Sequence, residues 1–169
     1  MVPVTKEELE KGVLHKRSFF KIQCKQADFS TIRLREARLP MPSFLQVRFD
    51  FGDLTGGYFP GAFFEQCLFK ETKMSDLYLR GSRFHQCRFQ NCTLNGANLC
   101  ECHFMECEFI GCDFNLAEFS ECRFEQTQMS RCNLFLADFT HVAPSSLSEL
   151  KTELKGALLP QGFSDGKNG

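Results

Sequence analysis

The sequence predicts an all-β solenoid, on three observations. A large apolar residue returns at every fifth position from Phe29 to Phe139, giving 23 consecutive sites that hold 14 Phe, 7 Leu and 2 Met. A small residue usually stands two places before it, as in Ala97-Asn98-Leu99, Cys102-His103-Phe104 and Cys107-Glu108-Phe109. No inserted loop breaks the phase along the run. A period of five suits neither regular element. On a helix five residues advance about 500°, so the phenylalanines would spiral and form no stripe. On a flat strand an odd period sends alternate residues to opposite faces. The pattern closes only if the chain turns a corner once per repeat, always the same way. Each side is then a short extended piece with two inward residues, the large one (site i) and the small one (site i−2). Successive sides wind about a common axis and the coils stack. Three and four sides per coil both satisfy the period.

The phrase resembles the pentapeptide-repeat signature, Ala/Cys–Asp/Asn–Leu/Phe–X–X, over roughly 115 residues. That resemblance implies a right-handed quadrilateral β-helix with four repeats and 20 residues per coil. The 23 repeats then make about 5.75 coils, and at roughly 4.8 Å per stacked strand a rod of about 28 Å. Leu14, Phe19 and Cys24 keep the same phase, so part of another coil is expected before Phe29.

The length of 169 residues suits one domain. Its expected divisions are an N-terminal cap over 1–13, the β-helix over 14–141, a C-terminal helix over 142–160 and a disordered tail over 161–169. In the first of these, Thr5 with Glu8 has the capping-box pattern, which opens a helical turn or two through about Lys11. A loop is the alternative there. Either would cover the first coil, whose open end is otherwise an unpaired edge. Within the solenoid, 40–64 is the irregular stretch, with Pro40, Pro42, Pro60 and four glycines among intact i residues. Proline removes a ladder donor, so coil-to-coil bonding is expected to be weakest there. After Thr140, Leu147, Leu150, Leu154 and Leu158 follow helical spacing. Ser146 with Glu149 suggests a second capping box and Pro160 a stop.

The formal charge of −1 points to no direct nucleic-acid partner. The sign does segregate: residues 1–48 hold ten Lys/Arg against five Asp/Glu, and 98–126 hold seven acids against Arg123 alone. The start is charged rather than apolar and no run is long enough to span a bilayer, so no membrane is expected. Eight of the ten cysteines occupy i−2 sites and read as small buried hydrophobes. Stacked in columns, their Cβ vectors would run parallel, which disfavours disulfides. Reduced core thiols imply a cytoplasmic compartment.

Candidate chemistry is sparse. Cys100-Glu101-Cys102-His103 has the composition of a metal cluster, but Cys102 points inward while Cys100 and His103 point out. Neither a Ser/His/Asp set nor a phosphate- or dinucleotide-binding loop occurs. No catalytic, cofactor or metal residue is assigned, and an enzyme is not expected. Surface remains. Tyr58 and Tyr78 stand one coil apart at site i−1, with Arg38 below, Arg80 beside them and Phe63 on the next face, the composition of a protein-binding patch. Higher on the tyrosine face, Glu101, Glu118, Glu121 and Asp138 form an acidic stretch. The reading is a non-enzymatic protein that works through protein–protein contacts. The resemblance implies an alternative, since some pentapeptide-repeat proteins mimic DNA, bind DNA gyrase or topoisomerase IV, and protect it from quinolones or toxins. Two states stay open: a monomer, or an end-to-end homodimer through the C-terminal helix.

Overall fold

Twenty residues separate the partners in all the parallel strand pairs, which gives each coil four sides. The computed structural model describes residues 2–17 and 19–163. The elements run β1 (Val2–Pro3), α1 (Lys6–Leu14), β2 (Ile22–Lys25), β3 (Ser43–Leu45), β4 (Phe63–Glu65), β5 (Leu68–Lys70), β6 (Arg83–His85), β7 (Arg88–Gln90), β8 (His103–Met105), β9 (Glu108–Ile110), β10 (Arg123–Glu125), β11 (Gln128–Ser130) and α2 (Pro144–Glu149). One side is a parallel sheet in the order β1-β2-β3-β4-β6-β8-β10, and the next is a sheet in the order β11-β9-β7-β5. The other two sides are columns of single bridges. One runs Arg33–Asp53–Lys73–Thr93–Asp113–Asn133 and the other Arg38–Tyr58–Tyr78–Asn98–Glu118–Asp138–Leu158. We name the sides after the inward residues of one coil: the Phe44, Phe49, Leu54 and Phe59 faces.

Each of the 23 i sites is buried, none more than 3 % exposed. Because register repeats every coil, identical positions must stack. Phe49, Phe69, Phe89 and Phe109 form one column with centroids 4.5–5.0 Å apart, and neighbouring columns meet edge-on, as Phe104 does with Phe109 at 5.5 Å. Offset and edge contacts of this kind add to the area term.

Turning a corner every five residues has a conformational signature. From Lys16 to Leu136 every i+2 residue has positive φ, and 20 of these 25 are not glycine. Left-handed backbone costs an L-residue about 1 kcal/mol. The ladder offsets it, since the same residues donate to the next coil, as Thr31 N does to Asp50 O and Leu116 N to Phe135 O.

Pro40 and Pro60 interrupt no coil-to-coil bond, contrary to the expectation. Pro40 and Pro60 fall at i+1, where the Phe59 face draws no ladder bond from the backbone N–H. The ladder runs past them unbroken, through Leu39 N to Tyr58 O at 2.9 Å, Met41 N to Pro60 O at 2.8 Å and Gly61 N to Arg80 O at 2.9 Å. Pro60-Gly61 supplies proline followed by a positive-φ glycine, as a type II turn requires.

Both ends are covered. Thr5 and Glu8 form the reciprocal capping box, and the Thr5 N–H and hydroxyl hold the Glu8 carboxyl below its ordinary value. The helix continues past Lys11 to Leu14, with Gly12 inside it, because the Phe19 ring lies where a Cβ on Gly12 would stand. Leu9 plugs the core from this end and Lys6 Nζ donates to Ser30 O. Leu14 keeps the phase but lies outside the core, 79 % exposed at the end of α1.

The helix expected over 142–160 is only Pro144–Glu149, and the capping box at Ser146 does not form. The N-cap is Ala143, three residues before Ser146, and the Ser146 hydroxyl instead accepts from Phe124 N at 2.8 Å on the last strand of the Phe44 face. The chain then rejoins the solenoid. Lys151 bridges Gln128, Leu136 N donates to Gly156 O and Phe139 N to Leu158 O. Leu154 is buried, with Ala157 and Leu159 against the core. The helical spacing of the leucines coincided with the five-residue phase of Leu154 and Leu159, and ladder bonding prevails over helix extension. Of the expected disordered tail, residues 164–169 lie outside the described residues.

All ten cysteines are free, and the eight that line the i−2 columns act as more than small hydrophobes. Cys102 and Cys122 donate to Leu79 O and Leu99 O, and Cys67 and Cys87 to Phe44 O and Phe64 O. Thr72, Ser82 and Thr127 do the same with hydroxyls in those columns. The small residue is thus also a donor to an inward carbonyl of the coil below. Burial pushes the Cys102 thiol up to about 12, so little thiolate forms at neutral pH. Cys100 and Cys132 are the half-buried thiols. Under native conditions a maleimide is expected to label these two first, followed by mass spectrometry of peptides. Labelling of Cys102 or Cys122 at comparable rates would contradict the thiol core.

Candidate interaction surface

The strict 20-residue register decides which outward side chains meet. On the Phe59 face the i−1 sites bridge continuously from Arg38 to Leu158, so consecutive members stand one strand spacing, roughly 4.8 Å, apart. Two aromatics at such sites must stack. Tyr58 and Tyr78 do so at 5.0 Å with 23° between planes, and the Arg38 guanidinium lies 5.0 Å from the Tyr58 ring. The result is an ordered cation–aromatic–aromatic column, with Tyr58 37 % exposed.

Of the five patch residues, the structure brings Arg38, Tyr58 and Tyr78 into one column. Phe63 lies on β4 of the adjoining Phe44 face, half-buried and without a ring contact to either tyrosine. Arg80 turns toward the acidic stretch and pairs with Glu101, which raises the arginine above its ordinary value. That ion pair joins the two candidate regions.

The acidic residues divide in the same way. Glu118 and Asp138 continue the tyrosine column, with Asn98 Nδ2 donating to Glu118 at 2.7 Å. Asp138 Oδ1 accepts from both Thr140 N and Thr140 Oγ1. Glu101 and Glu121 sit at the i+2 corner, and Glu101 is already paired with Arg80. Read from the N-terminal end, the column is therefore cationic, then aromatic, then polar, then acidic.

Other exposed features lie outside these two regions. Leu116, Leu136 and Phe135 are exposed on the corner between the Leu54 and Phe59 faces. Their signal was apolar residues at i+1 and i+2, off the core phase. Along the far edge of the Phe44 face, Gln46, Gln66 and Gln86 pass hydrogen bonds upward to Glu106. His103 Nε2 lies 2.9 Å from Glu125, and His85 stands between Glu65 and Glu106. Among the described residues, no group of three or more His, Cys, Asp or Glu side chains is placed to hold a metal ion. A groove of about 690 Å³ lies at the C-terminal end between Met129–Leu134 and Ser148–Lys155, outside the filled core. No helix among the described residues is long and apolar enough to cross a membrane.

A four-sided parallel solenoid with a packed interior and stacked surface columns is a structural class in which side chains reach a ligand only from outside. Two family models place the chain within it: one for the pentapeptide repeat region matches residues 82–158, and one for pentapeptide repeats (8 copies) matches residues 53–86. The chain belongs to the pentapeptide-repeat family. No curated protein matches it. Similar solved structures include the pentapeptide repeat protein Rfr23 from the cyanobacterium Cyanothece 51142, with 12 % identity, 81 % of this chain and 90 % of that one covered, and a TM-score of 0.47. HetL, a pentapeptide repeat protein involved in heterocyst differentiation regulation in Nostoc, has 13 % identity, 95 % and 99 % coverage and a TM-score of 0.33. A trypsin-treated QnrB1, a plasmid-mediated fluoroquinolone resistance protein, has 18 % identity, 85 % and 92 % coverage and a TM-score of 0.33.

Proposed function

We propose that this chain is a non-enzymatic interaction protein that binds a protein partner through its Phe59 face. The carrying observation is the Arg38–Tyr58–Tyr78 column, in which each ring or guanidinium is held by its neighbour. Side chains already ordered lose little freedom on binding, and Tyr and Arg are the residues that dominate protein interfaces. The test is affinity capture from the native source with the intact chain and with a Tyr58→Ser/Tyr78→Ser variant. The expected result is a specific partner lost by more than tenfold in the variant, because the anchors are gone. Equal capture by both forms would remove this reading.

Mimicry of DNA toward a type II topoisomerase is the second reading, favoured by the carboxylates of Glu118, Glu121 and Asp138, which no Lys or Arg neutralises among the described residues. It requires a basic partner groove and binding that falls steeply with salt. In a gyrase supercoiling assay, Glu101, Glu118 and Glu121 changed together to Gln would then abolish the effect of the chain. A chain without effect on gyrase excludes it.

A further inference from the structure

We propose that the Phe59 face pairs with a second copy of this chain, side by side and antiparallel; this rests on the reading of that face as an interaction surface and names its partner. The column of outward residues changes character along its length: Arg38, Tyr58, Tyr78, Asn98, Glu118, Asp138. A two-fold axis crossing the column at its middle, between Tyr78 and Asn98, reverses that order in the second copy. Steps of about 4.8 Å are the same in both copies, so register holds along the whole face. Arg38 then meets Asp138 of the second copy, Tyr58 meets its Glu118 and Tyr78 its Asn98. Each contact joins a donor to an acceptor, and each occurs twice, as a closed isologous interface requires.

The monomer leaves the needed groups available. Arg38 is exposed, stacks on Tyr58 and forms no ion pair among the described residues, so its guanidinium is free to pair. Both intramolecular bonds to Asp138 fall on Oδ1, leaving Oδ2 for a guanidinium. Among the described residues the Tyr58 hydroxyl has no partner, and the carboxylate opposite it accepts only from Asn98 and the Cys100 thiol.

The flanking columns are compatible with the same operation. At the i+1 sites, Pro40 and Pro60 lie opposite Thr140 and Ser120 of the second copy, and Arg80 lies opposite Cys100. At the i+2 corner, Glu101 and Glu121 oppose Gly81 and Gly61, so no like charges meet. On the other corner the exposed Leu116 falls over Gly56, where no side chain stands. A parallel arrangement would instead set Arg38 on Arg38 and Asp138 on Asp138.

A face three residues wide and six coils long, with its corners, buries roughly 400–500 Å² per copy, below the usual range for permanent complexes. The pairing is therefore weak and reversible, with a dissociation constant on the order of tens to hundreds of micromolar.

Sedimentation equilibrium of the full chain in low salt, over a range reaching a few hundred micromolar, tests this. The intact chain is expected to self-associate, and less so as salt rises. Arg38→Glu and Asp138→Arg are each expected to weaken association by about tenfold or more. The two together in one chain restore the pair with its signs exchanged. Both sites are outward, and a circular dichroism melt confirms that each variant is folded. A chain monomeric throughout, single changes without effect, or a double variant no better than the singles would each overturn the proposal. Dimers indifferent to the charge exchange, as in end-to-end pairing through α2, would overturn it too. Partner capture that depends on Tyr58 and Tyr78 by a monomeric chain would overturn self-pairing and leave the surface reading standing.

Discussion

Replacing Phe109 by alanine is expected to destabilise the protein by about 3–5 kcal/mol, against less than about 1 kcal/mol for Glu108→Ala one residue away. The Phe109 ring is 1 % exposed, stacks 4.5 Å from Phe89 and meets Phe104 and Phe114 edge-on at 5.5 and 5.4 Å. Alanine would leave a ring-sized hole that the two flanking coils cannot close, because their ladder spacing is fixed. Glu108 points out, where it pairs with Arg88 at 3.3 Å and accepts from Gln128. Such a surface pair is screened by solvent and contributes little. Paired urea melts separate the two outcomes, and equal midpoint shifts would show the inward assignment to be wrong.

Gly57→Ala is expected to cost about 1–3 kcal/mol despite adding a single methyl group. A Cβ there would stand 2.9 Å from Leu77 Cδ1, 3.0 Å from Leu54 O and 3.1 Å from Phe59 Cε1. The reason lies one coil away. The i−2 column runs Ala37, Gly57, Leu77, Ala97, and the oversized Leu77 is fully buried, taking space that a side chain at 57 would need. Leu77→Ala should therefore be costly alone but less than additive with Gly57→Ala. A double-mutant cycle measured by thermal unfolding reads the coupling, expected at about 1 kcal/mol in the relieving direction. Strict additivity would mean that the two residues do not share the space.

How much of this was legible depended on whether a feature repeats. The inward phenylalanines were legible because one misplaced residue would have flipped a side, and 23 in phase leave no freedom. Tyr58 on Tyr78 was legible for the same reason, since a 20-residue register forces the stack. The C-terminal segment was misread because Leu150, Leu154 and Leu158 satisfy a helical period while Leu154 and Leu159 also satisfy a period of five. Pairing of Lys151 with Gln128 arbitrates between them, and that contact has no local signal. The expected weakness at Pro40 and Pro60 failed on a finer point: which N–H groups a ladder uses depends on the corner geometry. Arg80 stood out as a neighbour of the tyrosines, yet its long side chain reaches Glu101 of the next coil instead.

The constant step between paired strands also governs how the chain finds its structure. A β-rich protein ordinarily brings together segments far apart in sequence, with sheet contacts spanning about 0.16–0.22 of the chain. Here each strand pair closes over 20 residues of 169, or roughly 0.12, from β1–β2 to β9–β11. The entropy lost in closing a loop is thus the same small amount at every step, and no rung waits on a distant one. Assembly can begin wherever stacking is strongest, such as the Phe69–Phe89–Phe109 column, and propagate outward like a zipper. The growing end always presents the edge on which the next coil forms, so α1, α2 and the returning segment 151–159 serve as terminators of a polymerisation that the chain carries out on itself.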